Sequence, residues 1–87
     1  MRVCEDILQL IGQTPMVRLR TDMPDPGPPA YVKLEFVNPT GSIKDRMVYH
    51  IVKKAMHDGT LKPGDTIIDN TSGNTGSALG MVAACMG

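Results

Sequence analysis

The sequence predicts an α/β chain, and three observations carry that reading. Apolar residues recur at helical spacing over residues 43–56. Two short alternating runs flank a Pro-rich stretch at residues 21–30. Two Gly-rich turns each stand directly before a helical segment. The predicted order is strand, loop, strand, turn, helix, loop, strand, turn, helix. A sequence of 87 residues holds one small domain at most. It stops where an α/β pattern begins its next strand, so the expectation is the front piece of a larger α/β protein.

Each element has its own cause. Residues 16–20 alternate apolar and basic, as suits a strand with one solvated face. Residues 21–30 carry Pro24, Pro26, Pro28, Pro29 and Gly27. Such a segment joins neither a helix nor a sheet interior, so it is a surface loop. Residues 31–37 read as a second strand with Val32, Leu34 and Phe36 on one face, antiparallel to the first. The first helix is expected over residues 42–57, with Ser42 as N-cap and Asp45 as capping-box acid. Ile43, Met47, Ile51 and Ala55 form one apolar row, and Val48, Val52 and Met56 lie beside it. Gly59 is its stop signal. Leu61-Lys62-Pro63-Gly64 reads as a turn and residues 66–68 as a short buried strand. Residues 77–86 form a last helix, apolar nearly all round, which needs cover on most sides.

Composition excludes several classes. Nine Lys plus Arg balance nine Asp plus Glu, leaving no basic excess to draw nucleic acid or an anionic membrane. No apolar run opens the chain as a secretory signal does. The longest, residues 78–87, is well short of the roughly 20 residues of a membrane span. A cytoplasmic location is expected. Cys4 and Cys85 lie far apart without a CxxC, and two free buried thiols are the expectation. His50 and His57 share one helix face, but no third ligand accompanies them, so no metal site is assigned. The methionines read as core filler. Asp45 and Arg46 read as a helix-start acid and a local ion pair.

The two Gly-rich turns concentrate the chemistry. Free backbone N–H groups and the helix dipole hold anions at such places. "PTGSIKD" lacks the spacing of a Walker loop, and "SGNTGSALG" has no GxG for a dinucleotide fingerprint. What remains is one turn with a lysine, Lys44, and one dense in Ser, Thr and Asn. An ordinary lysine at pH 7 is neutral in only about 0.04% of molecules. The dipole supplies roughly 0.3–1 kcal/mol, less than one pKa unit, so position alone does not make a reactive amine. From position alone, an exposed or salt-bridged lysine is the better account.

The combination is more specific. "KLEFVNPTGSIKDR" followed by "GDTIIDNTSGNTG" closely resembles the cysteine synthase and cystathionine β-synthase family, among the fold-type II pyridoxal-phosphate enzymes. "LIGQTPMVRL" looks like the family's N-terminal signature, and the Lys62-Pro63-Gly64-Asp65 turn also fits. The resemblance spans nearly the whole sequence. It implies a three-layer αβα, tryptophan synthase β-like fold, incomplete in this chain. Residues 1–37 would supply strands to the larger domain's sheet, and residues 38–87 would start the smaller N-terminal domain. The implied cofactor is pyridoxal 5′-phosphate, held covalently by Lys44, whose amine would later move the substrate's α-proton. Thr71, Ser72, Gly73, Asn74 and Thr75 would form the loop on the substrate's α-carboxylate, with Asn74 also reaching the cofactor's 3′-oxygen. Gly73 and Gly76 would let that backbone approach. Asn38 and Ser42 would shape and cap the lysine turn. The implied reaction replaces the β-substituent of an O-activated serine, or of serine, with a sulfur nucleophile. The implied partners are that amino acid and a sulfur donor, and the complete protein would be a homodimer.

The family's Gly/Thr-rich phosphate loop and the hydroxyl residue facing the pyridine nitrogen fall outside these 87 residues, so the isolated chain is expected to be inactive. Asp69-Asn70 stands where relatives often carry Glu and a small residue or Pro. Two other readings stay open. A serine/threonine dehydratase of the same fold usually shows another residue after SGN, where Thr75-Gly76 stands here. A non-catalytic truncated remnant would pair with a full-length relative. The leaving group, the sulfur donor and the cystathionine β-synthase subtype also stay open.

Overall fold

The computed structural model describes residues 1–20 and 27–87. Residues 21–26 of the expected Pro-rich loop therefore lie outside the described residues. Strands β1 (Met16–Arg18) and β2 (Tyr31–Lys33) pair antiparallel, with Val17 opposite Val32, as the alternating runs predict. Both strands end earlier than expected. After Leu34 the chain turns into a short 3₁₀ helix, Glu35–Val37. Phe36 is consequently 67% exposed and not on a strand face with Val32. Every residue of the ribbon is exposed.

Helices α1 (Lys44–His57) and α2 (Asn74–Met86) pack side by side and hold the core. That core is Val48 and Val52 from α1 with Ala78 and Val82 from α2. The i, i+4 spacing puts each pair on one helix face. Leu8 from the 3₁₀ helix Ile7–Leu10, with Ile11, Leu61 and Met56, closes its margin. The two helices run in the same direction. One hollow joins Val52 and Met56 to Ala83 and Met86. A second joins Met47 and Val48 to Thr75 and Leu79. Both N-termini therefore lie at one end of the pair, as in successive βα units.

Several expectations are corrected. Of the two apolar rows on α1, only the Val48/Val52 row is buried. Ile43, Met47 and Ile51 are 52%, 42% and 56% exposed, and the groove that Met47 and Ile51 border with Ile67 and Leu79 has no element laid in it among the described residues. Residues 66–68 form no strand, and Ile68 is 90% exposed. A strand exists only against a neighbour that takes its backbone hydrogen bonds, and no described segment is placed to do so. Helix α2 starts at Asn74 and not at Ser77. Cys4 is half-buried and Cys85 exposed, both free.

The stop of α1 follows expectation. Gly59 turns the chain at φ +80°, and the Leu61 N–H returns to the Ala55 carbonyl at 3.1 Å. The Lys62–Asp65 turn closes through the Lys62 N–H donating to Asp65 Oδ2 at 2.8 Å. Among the described residues no helix is long and apolar enough to cross a membrane, and no cluster of metal-ligating side chains occurs.

Candidate active site

Lys44 is the first residue of α1, and its side chain is exposed. Among the described residues its amine enters no ion pair. The turn beneath it is tied down on both sides. The Gly41 N–H closes onto the Asn38 carbonyl at 2.8 Å, with Gly41 at φ +90°. The Ser42 hydroxyl accepts the Lys44 N–H at 3.1 Å, which is the contact an N-cap makes. The expected capping box does not form. Asp45, fully buried, does not reach Ser42; it accepts the N–H of Thr40 at 2.8 Å and the Thr40 hydroxyl.

Arg46 does not pair with Asp45 either. Its Nε meets Glu35 Oε2 at 3.1 Å, and its Nη2 donates to the Gly12 carbonyl at 3.1 Å and the Thr14 hydroxyl at 2.8 Å. Asn38 is 3% exposed. Its Oδ1 accepts the Gly12 N–H at 2.9 Å, and its Nδ2 donates to Glu35 Oε2 at 2.8 Å. Lys33 completes the cluster at 2.9 Å from Glu35 Oε1. The ion pair with Lys33 first, then the hydrogen bonds from Arg46 and Asn38, bring the Glu35 carboxyl down from 4.5 to about 2 against the opposing effect of burial. Sequence reasoning missed Glu35, Gly12 and Thr14. Their signal was present, since "IGQT" and "LEF" both lie in the segments singled out, but only the fold brings them to Arg46.

The second turn is arranged differently from expectation. Asn74 and Thr75 belong to the first turn of α2 and not to a loop. The Thr71 hydroxyl accepts the N–H groups of Gly73 and Gly76, each at 3.3 Å. This local cap lets the helix begin inside the GNTG motif. A Cβ at Gly76 would lie 3.0 Å from Thr71 Cγ2, so a larger residue there would have to push the capping side chain aside by a few tenths of an ångström. Ser72 and Asn74 are exposed, and Thr75 is half-buried beside Asp69 and Leu79 in the hollow shared with α1. The parallel helices thus bring the Lys44 turn and the 71–76 turn to the same end of the molecule.

An exposed amine and a hydroxyl- and amide-rich turn thus each open one of two parallel helices. A family model described as pyridoxal-phosphate dependent enzyme matches residues 7–87, and the chain belongs to that family. The cysteine synthase of Staphylococcus aureus is 49% identical over 83 residues, covering 95% of this chain and 27% of that protein. The O-ureido-L-serine synthase of Streptomyces lavendulae is 51% identical over 87 residues, covering 100% of this chain and 26% of that protein. The crystal structure of cysteine synthase from Entamoeba histolytica superposes with a TM-score of 0.87 at 48% identity, covering 95% of this chain and 26% of that one. The chain therefore spans about a quarter of the length of these relatives. Its fold is that of the N-terminal part of the fold-type II enzymes.

Proposed function

We propose that the complete protein catalyses a pyridoxal-phosphate-dependent β-replacement, in which a sulfur nucleophile takes the place of the β-substituent of an O-activated serine. The single observation that carries this is the placement of the Lys44 amine, without an ion pair among the described residues, and of the 71–76 turn at one end of α1 and α2. The names of the relatives point the same way, towards cysteine synthase.

The residues present fit the cofactor. An exposed primary amine suits an aldehyde, and a turn rich in hydroxyl and amide donors suits a carboxylate. When bound, the cofactor supplies an electron sink for the carbanion left at the substrate's α-carbon. Lys44 would hold it through Nζ, and the same amine, when free, would take the substrate's α-proton. Ser72, Asn74 and Thr75 hold the α-carboxylate, with the N–H groups at the start of α2 behind them. Thr71 and Gly73 shape the turn, and Asn74 also reaches the cofactor. Fixing the carboxylate while Lys44 reaches the α-proton orients the leaving group without a second charged residue from this segment. The β1–β2 ribbon extends the sheet of a larger domain, and residues 38–87 open the smaller one.

Lys44→Ala in the complete protein tests the assignment. The variant should lose the yellow absorbance that borohydride otherwise fixes to the chain, and cysteine formation from O-acetylserine and sulfide with it. Cofactor fixed by borohydride to a different lysine would refute the role of Lys44.

A further inference from the structure

Lys44 has no ion pair of its own among the described residues, so its placement depends on its neighbours. Ile43, the cap position of α1, contributes no side-chain hydrogen bond to the helix end, and within the turn the Ser42 hydroxyl alone caps the Lys44 N–H. Helix ends fray unless something outside the helix holds them. Two side chains immediately after the lysine do so from different directions. Asp45 grips Thr40 within the turn. Arg46 reaches out of the helix to a segment more than thirty positions earlier in the chain.

We infer that Arg46 is a positioning residue for Lys44, its guanidinium locking the first turn of α1 to Glu35 and to residues 12–14. The inference rests on the proposed role of Lys44 as the cofactor-bearing lysine. A guanidinium offers donors in a planar fork, and three of its contacts here diverge in a way no ammonium reproduces. Gly12, at φ +82°, lies so close that a Cβ there would stand 3.0 Å from Arg46 Nη1. Asn38 then clamps Gly12 to Glu35, so the guanidinium, with 35% of its side chain still exposed, closes a ring of hydrogen bonds. The lysine stem is flexible, and what the ring fixes is its base. A reacting group displaced by about 1 Å loses on the order of 100-fold in rate.

Arg46→Lys in the complete protein tests this with two readouts. The first is amide hydrogen exchange in the cofactor-free protein. Exchange at residues 43–47 should accelerate about tenfold or more, while residues 78–86 of α2 stay unchanged. The second is steady-state kinetics with cofactor bound, where kcat should fall about 10–100-fold with KM for the amino acid nearly constant. If Arg46→Lys does not fold, Glu35→Gln removes the facing charge and should move both readouts the same way by smaller factors. A lower melting temperature with neither readout moved would make Arg46 merely structural and overturn the inference. If borohydride mapping shows that Lys44 does not carry the cofactor, the functional reading fails separately. The exchange measurement still decides whether Arg46 locks the helix start.

Discussion

The buried Asp45–Thr40 contact makes the strongest quantitative prediction. Asp45 is fully buried one residue after Lys44, and both donors it accepts belong to Thr40: the N–H at 2.8 Å and the hydroxyl. Hydrogen bonds to an ionised group are worth about 1.5–3 kcal/mol each. Asp45→Ala removes both acceptors but also relieves the desolvation of a carboxylate, leaving a net loss of about 2–4 kcal/mol. Thr40→Val removes only the hydroxyl donor, so the pair should show a coupling energy of about 1.5–3 kcal/mol in a double-mutant cycle. The assay is urea unfolding of the complete protein followed by far-UV circular dichroism. With a slope of about 1–3 kcal/mol per molar urea, Asp45→Ala should move the midpoint down by roughly 1 M or more. If the single effects add to within about 0.3 kcal/mol, the contact is not energetically real and the account of the lysine turn fails.

Three further outcomes follow from the same geometry. Ser72→Ala should weaken amino-acid binding about 10–150-fold, the loss of one donor to a carboxylate, read by titrating the change in cofactor absorbance; unchanged affinity would remove Ser72 from the site. The Glu35 carboxyl is lowered from 4.5 to about 2, so its contribution to stability is complete above pH 4.5 and is lost as pH falls through 2. Glu35→Gln should flatten the melting temperature over that window, and parallel curves for the two proteins would contradict the cluster. The isolated 87-residue chain should not turn over O-acetylserine and sulfide above free cofactor with a lysine-containing peptide. Its radius of gyration is 17.1 Å, against about 12 Å for a closed globule of that length, and it exposes Ile43, Ile51 and Ile68. Turnover above the control would show that the site works without further covering structure.

Spacing and turn chemistry were enough, from sequence, to reveal both helices, the antiparallel ribbon and the two Gly-rich turns. These are local properties: Val48 and Val52 share a face because a helix repeats every 3.6 residues, and Gly59 stops α1 because it alone tolerates a positive φ. The lysine and the 71–76 segment were legible for the same reason, each being a short contiguous motif. Tertiary structure decided what pairs with what. Two apolar rows on α1 are equivalent in sequence, and only the one facing Ala78 and Val82 became core. Ile67-Ile68 has the composition of a strand but no neighbour to bond among the described residues. Asp45 and Arg46 read as partners of each other, yet consecutive helix residues point about 100° apart, so one turned to Thr40 and the other to Glu35, Gly12 and Thr14. A hydrogen bond across thirty-four positions depends on where the chain returns in space, and no local spacing encodes that.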